Sequence, residues 1–315
     1  MINIFSSLRD ELAAGRHAVL AVVTATWGSA PRGVGSLMLV RTDGTFEGSV
    51  SGGCVEGTVI AEAHALLGSD TSSKQLEFSV SNDDAFAVGL ACGGTIRVSL
   101  FVLAPQDMPG IANALDAIAA RQQGELSLTY GTGTTSFASI ARATLVDDDA
   151  TLHLPVRPRL RLDIIGAVHI AQALAPMASG CGFDVIVIDP RSGFTEGRTF
   201  EGAVVINDWP DEYLKNHPLD GHAALVTLTH DPKLDDAALL PALRGETLYI
   251  GCLGSRKTHA SRLERLRQAG IDDTALARIH GPAGLDIGAS NPAEIAVSIL
   301  AEIIAVIRKG DADVL

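Results

Sequence analysis

From Arg161 onward the chain repeats one pattern, a short apolar run followed by an amphipathic stretch, and this rhythm limits the fold more than any other feature. The runs RLDIIG, DVIVID, GAVVIN, AALVTLT, TLYIG and ARIHG read as strands. Between them, HIAQALAPMAS, the stretch from Asp235 to Leu243, and RKTHASRLERLRQAG read as helices. Strands that are apolar on both faces need cover on both faces, a demand met by a parallel sheet with helices on either side. A last helix is announced by Asn291 as cap, Pro292 at the first helical position and Glu294 three residues after the cap. Its Ile295, Ile299, Leu300, Ile303, Ile304 and Ile307 share one face. The expected class is α/β: a mixed α/β domain over residues 1–155, then a doubly wound parallel sheet over 156–315.

The first half has a different texture. Ile4, Phe5, Leu8 and Leu12 lie on one helical face, the strand AVLAVVTAT follows from Ala18, and Asp43-Gly44 hinges a hairpin. The segment CVEGTVIAEAHALL places Val55, Val59, Ala63, Leu66 and Leu67 on a helical stripe, with Ser51 or Gly53 at its entrance. Further on, QLEFSV, TIRVSLFVL, GELSLTYG, ASIARATLV and LHLPV read as strands, and Met108 to Gln123 as a helix. PVRPRLR, with Pro155 and Pro158, reads as the linker, because proline opposes both a helix and a central strand.

Charge and composition exclude whole classes. The 315 residues carry 24 Lys+Arg against 37 Asp+Glu, a net charge of −13, which repels phosphate backbones and argues against nucleic-acid binding. Aromatic residues make up 4%, leaving few rings on which bases could stack. The most apolar window, Pro292 to Ile307, is too short to span a bilayer and contains Glu294 and Glu302. The opening MINIFSSLRDELAAG lacks the basic start and apolar run of a signal peptide. A soluble cytoplasmic protein is expected.

Ligands of doubly wound sheets sit beyond the carboxyl ends of the strands, and the first turn there usually reads G-x-G-x-x-G. Here it reads GAVHIA: Gly166 keeps the tight turn, but Val168 and Ala171 replace the second and third glycines. The methyl groups of Val168 would crowd a diphosphate, although a smaller anion can still meet the helix start. Asp189 stands roughly twenty residues on, where a ribose-binding acid is expected. A Rossmann-like scaffold is the reading, with nucleotide binding doubtful. Other polar groups at strand ends are His230 and Asp231 after AALVTLT, Ser255, Arg256 and Lys257 after TLYIG, and Asp286 in GPAGLDIGA. The basic pair at a helix start makes sense if an anion lies between. His169 and His259 lie within helices and read as packed or solvated.

Four cysteines, at 54, 92, 181 and 252, are too sparse for a disulfide framework and include no C-x-x-C pair. Two of them adjoin glycine pairs. Cys54 follows Ser51-Gly52-Gly53 at a helix entrance, where unpaired N–H groups favour thiolate, and Cys92 precedes Gly93 and Gly94. Cys181 reads as structural and Cys252 as ambiguous. Upstream, WGSAPRGVGSLMLV offers Ser29, Arg32, Gly33 and Gly35, a glycine-rich backbone with one arginine suited to phosphate or carboxylate.

The segments GSAPRGVGSLMLV, GSVSGGCVEG, ACGG, DIIGAVHIAQAL, VIDPR, THD, LGSRKTHASRLERL and GPAGLDIGASNPAEIAVSILAEI together resemble the XdhC/CoxI family of xanthine dehydrogenase accessory proteins, over nearly the whole chain. The resemblance implies an N-terminal XdhC/CoxI-type domain and a C-terminal Rossmann domain. It also implies a role in handling molybdenum cofactor: binding the molybdopterin, protecting it during sulfuration with a cysteine desulfurase, and delivering it to a molybdenum hydroxylase such as xanthine dehydrogenase. Members of this kind act as chaperones rather than enzymes with turnover, and a homodimer would shield the labile ligand. Val168, Ala171 and Cys252 depart from the family's pattern.

On this reading Cys54, with Cys92 second, lies beside the molybdenum or its sulfido ligand. Ser51, Gly52, Gly53 and Gly93 supply close backbone, and Arg32 or Arg256 holds the phosphate. Two other readings compete. One is a nicotinamide-dependent oxidoreductase using the C-terminal fold with His230 as acid/base; the other is a non-catalytic nucleotide-binding scaffold.

Overall fold

The four apolar residues of the first amphipathic stretch, Ile4, Phe5, Leu8 and Leu12, are the buried face of helix α1 (Ile2–Ala13). The computed structural model describes residues 1–28, 32–79, 94–141 and 143–310. These fall into two compact units, Met1–Pro158 and Arg159–Leu315.

In the first unit, β1 (Ala18–Trp27) is followed by the hairpin β2 (Leu37–Arg41) and β3 (Phe46–Gly48), α2 (Glu56–Leu67), β4 (Ser73–Ser79), β5 (Thr95–Leu103), α3 (Met108–Ala119), β6 (Gly124–Thr129), β7 (Thr135–Ser139), β8 (Val146–Asp147) and β9 (Thr151–Val156). The strands form an antiparallel five-stranded sheet ordered β3-β2-β1-β5-β4 and a four-stranded sheet ordered β7-β6-β9-β8. β1 is central, and alternation along it feeds two cores. Ala18, Leu20 and Val22 join α1, α3, β6 and β9 on one side. Val19, Ala21 and Val23 pack with Val59, Ala63 and Leu66 of α2 on the other.

Two expectations need correction here. Pro155 reads as part of a linker, yet it lies inside β9, opposite Glu125 of β6. Pairing with β8 stops at His153, so among the described residues the proline falls where β9 has no partner strand on that side, the position a sheet tolerates. ASIARATLV is not one strand: β7 ends at Ser139 and, among the described residues, strand pairing resumes at Val146.

The second unit contains β10 (Arg161–Ile165), α4 (His169–Gly180), β11 (Asp184–Ile188), α5 (Ser192–Thr195), β12 (Ala203–Ile206), α6 (Pro210–Asn216), β13 (Ala223–Thr227), α7 (Pro232–Arg244), β14 (Tyr249–Cys252), α8 (Arg256–Gln268), α9 (Asp273–Leu276), β15 (Ile279–His280) and α10 (Pro292–Gly310). All six strands are parallel, in the order β12-β11-β10-β13-β14-β15. The order reverses between β10 and β13, whose residues are buried throughout. α4 and α10 cover one face, burying Leu174, Ala178, Ile299 and Ile303 against Leu162, Ile164 and Val226. On the other, α7 and α8 pack Leu234, Leu239 and Leu266 against Leu225 and Ile250.

α10 begins as its sequence predicts, Asn291 Oδ1 accepting the Glu294 N–H at 3.0 Å. Glu302, on the same helix, accepts from Tyr249 Oη at 2.6 Å and from the Gly284 N–H at 2.8 Å. Among the described residues no helix is long and apolar enough to cross a membrane.

Candidate functional site

The loop between β3 and α2 is organised by a residue that no sequence motif singles out. Glu56, 8% exposed, points its carboxylate back into the loop. Oε1 accepts from the Ser49 hydroxyl (2.6 Å) and from the N–H groups of Val50 (3.1 Å), Ser51 (2.8 Å) and Gly52 (3.1 Å). Oε2 accepts from the Gly53 N–H (2.9 Å) and from the Ser51 hydroxyl. Gly52 and Gly53 have φ of +79° and +117°, backbone that side-chain-bearing residues rarely adopt, and this lets consecutive N–H groups converge on one anion. Burial alone would raise the Glu56 pKa, but the ring of donors overrides it and holds the group down at about 2.

The N–H groups of Ser51, Gly52 and Gly53, expected to face a ligand, are thus engaged by the protein's own carboxylate. Ser51 is fully buried, and its hydroxyl oxygen accepts from the N–H groups of Cys54 (3.0 Å) and Val55 (2.9 Å). This corrects the helix entrance: α2 starts at Glu56, and Cys54 lies in the turn before it. Cys54 is half-buried and packs against the core beneath α2. Arg32 is exposed. Cys92, Gly93 and Ser29 lie outside the described residues.

In the second unit the structure gathers several expected residues at the carboxyl ends of β10, β13 and β14. Gly166 has φ +108°, and a Cβ there would lie 2.5 Å from Thr229 Cγ2, so only glycine lets the two turns close on each other. His230, exposed and itself at φ +62°, places Nδ1 beside Gly254 in the next turn. Ser255 caps α8, its hydroxyl accepting the Thr258 N–H at 3.1 Å, and Arg256 opens that helix. Asp231 caps α7, accepting the Lys233 N–H at 3.0 Å, so its carboxylate serves the helix. Asp286 is exposed in the loop between β15 and α10.

Asp189 sits at the end of β11 as its spacing predicts, but it does not face solvent. It is fully buried. Oδ1 accepts from the Arg191 N–H (3.0 Å) and Nε (2.8 Å), and Oδ2 from the Ala167 N–H (2.9 Å) and Arg191 Nη2 (2.7 Å). Four donors use the four lone-pair positions of a carboxylate and leave nothing for a ribose hydroxyl. Desolvation opposes its ionisation, yet these donors, Arg191 first, hold its pKa below the usual range. Asp189 therefore binds the first turn rather than a ribose.

Beneath the same strand ends lies a charged group that no motif flagged. Arg262 is 1% exposed, donates Nη2 to the Leu253 carbonyl at 2.9 Å and lies 3.5 Å from Asp235. Burial raises the Asp235 pKa, against its bond from Thr229 (2.6 Å) and the Arg262 charge. Cys252 is wholly buried there, and burial pushes its thiol up to about 11, so it stays protonated.

Comparison with known proteins agrees with this division of the chain. The model of the XdhC Rossmann domain matches residues 162–303, and that of the XdhC and CoxI family matches residues 11–79. A protein of Bacillus subtilis (strain 168) described as a probable xanthine dehydrogenase subunit is 30% identical, across 96% of this chain and 97% of that one. The chain belongs to the XdhC and CoxI family. The molybdenum cofactor insertion chaperone PaoD of Escherichia coli (strain K12) is 29% identical over 94% of this chain and 86% of its own length. A xanthine dehydrogenase crystal structure from Bacillus halodurans matches with a TM-score of 0.77 at 26% identity, covering 98% of this chain and 96% of that one.

The XdhC and CoxI match includes Arg32 and the whole Ser49–Glu56 loop, whereas the XdhC Rossmann match includes Gly166, Asp189, His230, Asp231, Ser255, Arg256 and Asp286. Glu56 is the residue that sequence reasoning missed. The available signal was its place in the first turn after SVSGGCV, where a carboxylate can reach back to the glycine-rich N–H groups.

Proposed function

We propose that this XdhC/CoxI-family chain binds molybdenum cofactor, shelters it while a cysteine desulfurase supplies the terminal sulfur, and delivers it to a molybdenum hydroxylase of the xanthine dehydrogenase type. The observation carrying this reading is the near full-length similarity to a relative named a molybdenum cofactor insertion chaperone. In this role the protein is a carrier without turnover, and the cofactor is cargo.

The Cys54 loop fits that cargo. Among the described residues no three His, Cys, Asp or Glu side chains gather to hold a bare metal ion, whereas the molybdenum of a pterin dithiolene arrives already ligated by sulfur and needs at most one further soft ligand. Cys54 is such a ligand, half-buried in a loop whose shape Glu56 fixes in advance. Arg32 or Arg256 is assigned to the cofactor's phosphate, and a second copy of the chain to a homodimer that limits solvent access. The oxidoreductase alternative would rely on Asp189 for the ribose, and that carboxylate is already saturated.

The test is to express the chain in a host that makes molybdopterin, purify it without oxygen, and assay molybdenum and the fluorescence of oxidised pterin. Both are expected in the wild-type protein and reduced at least about ten-fold in Cys54→Ser, which should also fail to activate a client hydroxylase. Absence of both from the wild type would leave the scaffold reading.

A further inference from the structure

The loop after β11 carries two arginines that the cofactor reading does not use. Asp189 clamps Arg191 through Nε at 2.8 Å and Nη2 at 2.7 Å. The Arg191 guanidinium lies over the ring of Phe194 in α5, 4.0 Å from its centroid. Arg198 stacks on the same ring at 5.2 Å and donates Nη1 to the Ala167 carbonyl at 2.8 Å, within the turn that follows β10. Two cations are thereby pinned around one aromatic ring at the carboxyl ends of adjacent strands.

Stacking covers the flat face of a guanidinium but leaves its in-plane N–H groups available, which is the arrangement that suits phosphate oxygens. Arg191 keeps Nη1, and Arg198 keeps Nε and Nη2, without a hydrogen-bond partner among the described residues. Asp189 pairs with Arg191 alone, Asp231 and Asp235 add longer-range attraction at the same guanidinium, and both arginine side chains remain partly exposed. The Ala167 N–H is held by Asp189, but the start of α4 just beyond it has neither a side-chain cap nor an acid in its own first turn.

We propose that Arg191, Phe194 and Arg198 form a binding site for a terminal phosphomonoester. A dianionic phosphate matches the open Nε/Nη2 fork of Arg198 and the Nη1 of a second cation, Arg191, better than a carboxylate does, and Val168 in place of the second glycine of the turn disfavours a bridging diphosphate. The same chemistry occurs on a ribose 2′-phosphate and on a phosphorylated pterin. The proposal does not rest on the carrier reading, since a nucleotide phosphate would satisfy it equally.

The test is calorimetric titration of the full-length protein at low ionic strength with 2′-AMP and with 6-hydroxymethylpterin phosphate, each against its unphosphorylated parent. At least one phosphate ester is expected to bind about ten-fold or more tightly than its parent. Arg198→Gln should weaken that binding by a similar factor, and Arg198→Lys should restore part of it by returning the charge without the fork. Arg198 is the residue to change, because removing Arg191 would leave Asp189 buried and uncompensated. Equal thermal midpoints for the three proteins would show that the fold is intact. Preference for 2′-AMP identifies a nucleotide as the source, and preference for the pterin ester identifies the cofactor. Failure of both esters to bind the wild type, or affinity unchanged in Arg198→Gln, would overturn the site.

Discussion

A methyl group placed on Gly166 would lie 2.5 Å from Thr229 Cγ2, so the turns after β10 and β13 interlock where the strand order reverses. Thr229 in turn donates to Asp235 and accepts the Asp231 N–H, tying the same contact to the start of α7.

Gly166→Ala therefore meets both a steric clash and an unfavourable φ of +108°, and is expected to cost about 2–4 kcal/mol. Adding Thr229→Ser removes the clashing methyl while keeping the hydroxyl, and should recover part of that loss but not the backbone strain. Denaturant midpoints of the two single variants and the double variant measure the coupling. A Gly166→Ala protein as stable as wild type would refute the interlock.

Glu56 gives the first unit a defined response to acid. Its carboxyl titrates near 4.5 when unconstrained and near 2 in the fold. A depressed folded value means that its stabilisation is complete above about pH 4.5 and is lost as pH falls toward 2. Urea midpoints should decline over that interval in the wild type and decline less in Glu56→Gln. At neutral pH the substitution is expected to cost about 2–3 kcal/mol through weakened charge-assisted hydrogen bonds. It should also speed the reaction of Cys54 with a disulfide reagent, because the loop loses its anchor.

Accessibility ranks the thiols of the described residues. Cys181 is exposed, Cys54 half-buried and Cys252 buried, with a thiol held up at about 11. Brief alkylation near neutral pH followed by peptide mass analysis should find Cys181 modified first, Cys54 next, and Cys252 only after unfolding. Early labelling of Cys252 would contradict its placement.

The Tyr249 hydroxyl donates to Glu302 at 2.6 Å, and both burial and that carboxylate push its pKa far up. Tyr249→Phe should cost about 1–2 kcal/mol, because Glu302 keeps its carboxylate and loses a donor. A thermal melt of the full-length protein reads the effect.

The second unit is legible because its strands are buried on both faces and so appear as unbroken apolar runs, and because the Asn291 cap marks α10 directly. The first unit is less so. Pro155 looks like an interruption, since sequence does not show that β8 stops short of it, and the apolar content between Ser139 and Val146 lies, among the described residues, outside any strand. The site is legible in position more than in role. Spacing locates Asp189 but cannot show that Arg191, two residues on, fills it. Glycines locate the Cys54 loop, while Glu56 leaves no periodic trace because most of its targets are backbone groups.

A carboxylate tethered only a few residues from its N–H donors acts at very high effective concentration, beyond what any dissolved anion can match. The Ser49–Gly53 loop is for that reason self-ligated: buffer phosphate should not displace Glu56, and the shape that presents Cys54 should be the same in the empty and the loaded protein.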